Sequence, residues 1–324
     1  MGTQGISRRG VVSLVAAAIV VSAAPRGAGA IGAPRRSTST GLRVTSVPVG
    51  RGPQSVIAGG GRVFVGNGAG RSVSVVERDR VVAELPVAGV PRALALDERT
   101  GRLHVANSTA GTTVVFDLMT GTTTTIATGP GSSALTPGAD AYRMYVGSAV
   151  GVSVVDLLAC AVTDVVPGNA AGSATTDDKQ RVGYFSDPGS GTVAVLDLTT
   201  NRFTGHIRVG TAPAGLAVHE ATGTVYVANS GIHHLSVVDG TSRQETATIR
   251  LRSAASSVAV RQGTHTIYTN GGPDGLLRID GTSREVTGEL PLGINPGDVA
   301  VDETTGAVLV TDPVGDRLHI VTGF

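Results

Sequence analysis

Beyond residue 40 the apolar residues of this chain fall into short alternating runs, such as GLAV (215–218), VYVAN (225–229), LSVVD (235–239) and TATIRL (246–251). Turn-forming stretches stand between them, HEATGT (219–224) and GTSRQ (240–244). Short runs rich in Val and Thr, bounded by Gly, Asp, Asn or Ser, predict antiparallel strands joined by tight turns. The pattern then repeats. Four segments of 17 residues align without a gap: PRALALDERTGRLHVAN (91–107), PAGLAVHEATGTVYVAN (213–229), AASSVAVRQGTHTIYTN (254–270) and PGDVAVDETTGAVLVTD (296–312). Weaker copies begin at Pro53, Gly131 and Ala170, so successive starts lie between 38 (53 to 91) and 43 (170 to 213) residues apart.

A four-stranded sheet of this size cannot bury both faces by itself, so successive sheets must stack. Seven of them arranged radially make an all-β fold, a seven-bladed β-propeller of four-stranded antiparallel blades. The chain ends support the count. The last copy stops after its third strand, RLHIVTGF (317–324), and an unmatched strand, GLRVTSVPVG (41–50), precedes the first copy. This N-terminal strand is expected to complete the last blade and close the ring, protecting an edge that would otherwise invite pairing with another chain.

The run from Val225 to Leu251 resembles the YVTN-type (YncE-like) β-propeller repeat, whose pattern is YVTN-x-G-x-x-x-V-S-V-I-D followed by T-I-x-V-G-x-x-P. Val225-Tyr226-Val227-Ala228-Asn229 stands at the naming motif and Ser236-Val237-Val238-Asp239 at the next. The resemblance spans residues 41–324 and is strongest in blades two, five, six and seven. Blade three (RMYVGSAVGVSVVD) and blade four (VGYFSDPGSGTVAVLD) depart from it at the Asn position. It implies a seven-bladed propeller of the kind found in extracytoplasmic bacterial proteins and archaeal surface-layer proteins. It implies no enzyme activity and brings no catalytic motif.

The first thirty residues read differently. Arg8 and Arg9 precede an apolar run from Val11 to Ala24, too short to span a bilayer and of the length of an export signal. Ala28-Gly29-Ala30 is a small-x-small cleavage site, and Ser7-Arg8-Arg9-Gly10-Val11-Val12 resembles a twin-arginine signal, with an ordinary secretory signal as the alternative. Residues 31–40 are expected to form a flexible leader before a propeller at 41–324. No transmembrane helix is expected once the signal is removed, and the protein is expected to be secreted or held in the cell envelope. Losing Arg8, Arg9 and Arg26, with no acid, takes the formal charge from +1 to −2, which gives no electrostatic case for nucleic acid. The single Cys160 cannot form an internal disulfide and is expected to be a buried, inert thiol.

Residues that recur in the copies are assigned to the blade itself. Glu77, Asp117, Asp156, Asp197, Asp239 and Asp280 close the third strand before a turn, where a carboxylate can satisfy backbone N–H groups. Asn67, Asn107, Asn229 and Asn270 end the second strand and read the same way. Function is sought where the copies differ. First-to-second and third-to-fourth turns share one face of a propeller, and here they are alike. Second-to-third loops share the other face with the approaches to the inner strands, and they vary: NGAGRS, NSTAGT, SAVG, SDPGSG, NSGIHH, NGGPDG and TDPVGD. Loops on a rigid scaffold commonly carry binding sites.

That variable face holds the adjacent pair His233 and His234, with Asp187, Asp274 and Asp312 on blades four, six and seven. Two imidazoles and three carboxylates at a channel mouth could hold a divalent cation or polarise a polar ligand. Geometry argues against a metal centre, because consecutive residues of an extended segment point opposite ways. Solvated loop residues are the ordinary alternative. Arg51 and Arg92, beside the inner strands, are placed to meet an anionic ligand, with local rim bonds as the alternative.

The regular repeats and small loops point to a binding or interaction module for a protein, glycan or small molecule, monomeric and with no cofactor expected. One alternative is a propeller enzyme, since seven-bladed propellers similar in outline include lactone hydrolases and a metal-using lyase. Another is a structural component of the cell envelope.

Overall fold

The structure, a computed structural model, describes residues 41–138, 142–272 and 275–324. The export signal and leader expected at 1–40 lie outside these residues. The described residues form 28 strands in seven antiparallel sheets of four. Blade one is typical, with strands Pro53–Gly59, Arg62–Asn67, Ser72–Glu77 and Arg80–Pro86 in order from the channel outward. The fold is a seven-bladed β-propeller.

The ring closes between the two ends of the described chain. Blade seven takes Val299–Val301, Val308–Asp312 and Arg317–Thr322 from the C-terminal end, and Arg43–Pro48 as its outermost strand. Arg43 pairs with Thr322 and Pro48 with Arg317, in continuous antiparallel register. Asp316 strengthens the joint, because its Oδ1 accepts the Gly52 amide at 2.7 Å.

Stacking supplies the core. Seven apolar clusters occur, one in each interface between neighbouring blades. Blades one and two share Phe64, Val73, Leu94, Leu103 and Val105, and the closing interface shares Val47, Val56, Val65, Leu309 and Leu318. No blade has a core of its own, which is why alternate residues on both faces of the middle strands are apolar.

The turns are built alike. Asp239 Oδ1 accepts the amides of Thr241 and Ser242 at 2.9 and 2.7 Å, and Asp117, Asp156, Asp197 and Asp280 repeat the pattern. Four residues after each of these acids the backbone turns left-handed, at Gly121, Cys160, Asn201, Arg243 and Arg284. Glu77, the odd member, pairs with Arg62 at 2.8 Å. Cys160 is therefore a half-buried turn residue at φ 49° and is not sealed in the core as expected from its apolar neighbours.

Register corrects the alignment of copies. The pairing of Thr266 with Asp280 places Tyr268 opposite the position of Tyr226, which pairs within a strand beginning Thr224↔Asp239. Asn270 is thus equivalent to Ala228, one place before Asn229. The extra residue is taken up where the register shifts between Thr269 and Gly272.

Candidate functional site

The approaches to the inner strands are bonded directly to the second-to-third loops. Gly68 donates to the Gly52 carbonyl at 2.8 Å, Ser108 to Val90 at 3.1 Å and Ser230 to Ala212 at 2.9 Å. One face of the ring is therefore a continuous rim of variable loops around the channel.

Inside that rim lies a cavity of about 530 Å³, bordered by the innermost strands of all seven blades. Equivalent positions in or immediately before these strands are Ser55, Ala93, Ala134, Ser173, Gly215, Ser257 and Asp298. Six are small and neutral, and the seventh is a carboxylate. Asp298 Oδ1 accepts the Ser257 hydroxyl at 2.7 Å and the Val299 amide at 3.0 Å, and Oδ2 accepts the Val56 amide at 2.9 Å. Asp298 is half-buried and borders the cavity. Burial pushes its carboxyl above the ordinary carboxylate range, against the pull of those three donors. The sequence comparison passed over Asp298. The signal was there, because PGDVAV carries an acid where PRALAL and PAGLAV have Ala93 and Gly215.

Arg92 also borders the cavity, exposed at its mouth, with Nη1 donating to Gln54 Oε1 at 3.0 Å. Arg51 is exposed on the rim and does not border the cavity. Its backbone carbonyl accepts the Gly70 amide at 2.8 Å.

The histidine pair stands away from the channel, at the start of the third strand of blade five. His233 is exposed and its carbonyl accepts the Leu251 amide at 3.0 Å. His234 is half-buried beside Gly210, where an added Cβ would come within 2.8 Å of its Nε2. Asp187 and Asp312 occupy the Asn position of their blades and serve their own loops. Asp187 accepts the Gly189 amide at 3.0 Å and the Ser190 hydroxyl at 2.7 Å. Asp312 accepts the amides of Val314 and Gly315 at 3.2 and 2.9 Å. Asp274 lies outside the described residues. Among the described residues, no group of three or more His, Cys, Asp or Glu side chains is placed to hold a metal ion.

Asn229 behaves as a loop residue, donating to the His234 carbonyl at 3.1 Å. Asn270, displaced by one position, does something else. Its Oδ1 accepts the amides of Ser256 and Ser257, both at 3.0 Å, and its Nδ2 donates to the carbonyls of Pro296 and Gly297 at 3.1 and 2.7 Å. It locks the inner strands of blades six and seven together next to Asp298. The remaining face carries His219 and His265, stacked at 3.6 Å with 5° between the rings. The His265 Nε2 shares a hydrogen bond with the Tyr226 hydroxyl at 2.7 Å, so the pair is spent on joining blades five and six.

No protein-family model and no curated protein matches the sequence. Solved structures do match in shape. The chain is similar to hydrazine synthase of Kuenenia stuttgartiensis, with a TM-score of 0.71 at 16% identity over 90% of this chain and 99% of that one. It is also similar to virginiamycin B lyase from Staphylococcus aureus, with a TM-score of 0.72 at 11% identity over 87% of this chain and 99% of that one. At such identities the likeness is one of fold. Among the described residues no helix is long and apolar enough to cross a membrane.

Proposed function

We propose that this chain is an exported propeller of the YVTN type that works as a binding module, holding a protein, glycan or small molecule at the loop face around its channel. The observation that carries this reading is the open cavity of about 530 Å³ beneath the variable loops, bordered by Arg92 and Asp298 in an otherwise uncharged wall. Cavities of this size, with a few placed polar groups, are the usual form of small-molecule sites. The opposite face has uniform turns whose acids are committed to their own backbone. Export is supported by the paired Arg8 and Arg9 before a 14-residue apolar run, Val11 to Ala24.

Hydrogen exchange tests the binding face. The purified protein is incubated with glycan and metabolite libraries and with cell-wall extract. Slowed exchange confined to the second-to-third loops and inner-strand approaches is expected, and protection confined to the uniform face would overturn the reading. Expression of the full chain with Arg8→Lys and Arg9→Lys tests export. Mature protein starting after Ala30 is expected outside the cytoplasm, with retention in the double variant if the route is the twin-arginine one. Uncleaved native protein retained in the cell would refute export.

A further inference from the structure

We propose that the channel holds a small zwitterion of amino-acid size, with its ammonium group on Asp298 and its carboxylate on Arg92. This deepens the binding-module reading and rests on it.

Asp298 is a carboxyl group with no charged partner among the described residues. All three donors to it are neutral: the Ser257 hydroxyl and the amides of Val299 and Val56. A carboxylate withdrawn from water is costly unless a positive partner meets it. Without one the group is driven toward its neutral form, the direction in which burial moves Asp298, and a cation brought onto it restores the charge. A carboxylate offers about four acceptor positions, and three are filled here, two on Oδ1 and one on Oδ2. The last, on Oδ2, remains for a ligand in the cavity that Asp298 borders.

A purely structural role does not account for the charge. Asp298 does join blade seven to blade one through the Val56 amide. One interface earlier, Ser257 joins blade six to blade seven in the same way, accepting the equivalent amide of Val299 at 3.0 Å. A neutral hydroxyl is sufficient for that joint. The carboxyl group adds a second oxygen and the capacity to carry a negative charge, and the joint has no use for either.

Arg92 supplies the opposite charge on the same cavity, two blades along the ring. Gln54 accepts a hydrogen bond from one guanidinium nitrogen at 3.0 Å, and its amide lies against Gly68. The other guanidinium N–H groups make no hydrogen bond among the described residues, which leaves an edge suited to a carboxylate. The rest of the wall is Ser, Ala, Gly, Gln, Pro and aliphatic side chains, with no aromatic platform on which a sugar ring could stack. Two opposite charges across an uncharged wall select a compact molecule carrying both.

The test titrates the purified full chain with glycine, β-alanine and γ-aminobutyrate, and with ethylammonium and acetate as single-charge controls. Calorimetry and ligand-observed NMR give the affinities. At least one zwitterion is expected to saturate the protein and to bind tenfold or more tightly than either control. Asp298→Ser, which keeps the joint as Ser257 does, and Arg92→Gln, at an exposed position, are each expected to weaken that binding tenfold or more. Absence of saturable zwitterion binding, binding unmoved by both variants, or equal binding of ethylammonium would overturn the inference. Loop-face protection by a larger partner without any zwitterion binding would sink this inference alone. Loss of both would sink the binding-module reading with it.

Discussion

The hydroxyl of Tyr145, on the second strand of blade three, donates to the carbonyl of Leu198 in the outer turn of blade four at 3.2 Å. The relationship recurs around the ring. Tyr226 reaches the Gly281 carbonyl and Tyr268 the Phe324 carbonyl, both at 3.3 Å, and Tyr184 reaches toward Gly240. In each case a phenol from one blade crosses the apolar interface to a backbone carbonyl of the next, in a turn for Tyr145, Tyr184 and Tyr226 and at the C-terminal residue for Tyr268. Burial pushes Tyr184 and Tyr226 up to about 12, so they stay protonated donors throughout the neutral range.

Tyr226→Phe keeps the ring in its interface and removes only the hydroxyl. His265 Nε2 and the Gly281 carbonyl then both lose the hydroxyl, and stability should fall by roughly 1–3 kcal/mol. Urea unfolding with an unchanged slope and a lowered midpoint is the expected record.

Blades one, two and seven depart from this relationship, with Phe64, His104 and Leu309 at the tyrosine position. His104 has neither ring nitrogen partnered by protein, and Arg102 takes the Leu157 carbonyl instead at 3.1 Å. Burial pushes this imidazole from 6.5 down to about 4. Folded His104 therefore stays neutral in a range where the unfolded chain takes up a proton. Its stability is intact above the unfolded pKa and is lost as the pH falls from 6.5 toward 4, by about 3 kcal/mol for a shift of this size. His104→Phe should remove that loss. Denaturant titrations at pH 7 and pH 4.5 compare the two proteins, and an equal loss in the variant would count against the argument.

The closing interface should be the first to open. Arg43–Pro48 pairs only with a strand from the far end of the chain, Arg317–Thr322, so that pairing carries the full loop-closure entropy. Leu318, fully buried there, should cost roughly 2–5 kcal/mol when changed to Ala. Native-state hydrogen exchange should show amides 43–48 opening before those of blade five, and more readily still in Leu318→Ala.

The turn acids should govern behaviour in acid. Asp117, Asp197, Asp239 and Asp280 are held below the usual carboxylate range, chiefly by the backbone N–H three residues on. A depressed folded pKa contributes stability that is present above the unfolded value of 3.8 and lost as the pH falls below it. Asp239→Ala should melt below the native protein at pH 7 and converge with it near pH 2, whereas Asp239→Asn, which keeps the acceptor, should lose less.

Much of this architecture was legible in the chain alone. The period of the apolar runs, the matching half-blades at 41–50 and 317–324, and the separation of uniform from variable turns all follow from local pattern. A strand's alternation and a turn's chemistry are decided within a few residues, so seven blades, their closure and the face bearing the loops could be read directly. Asp239 and its equivalents were recognised as caps for the same reason, since their partners lie two and three residues away. The site was decided elsewhere. Asp187 and Asp312 looked like channel residues until their carboxylates were found on their own loop amides, and the His233–His234 pair until it was found at the start of a third strand, away from the inner strands that border the channel. Asn270 looked like its three counterparts until register moved it by one place. Asp298 differs from its counterparts in the sequence itself, but its bond to Val56, 242 positions away, is made only by folding. Which side chains share the channel depends on contacts between the inner strands of different blades, and those exist only once the ring has closed.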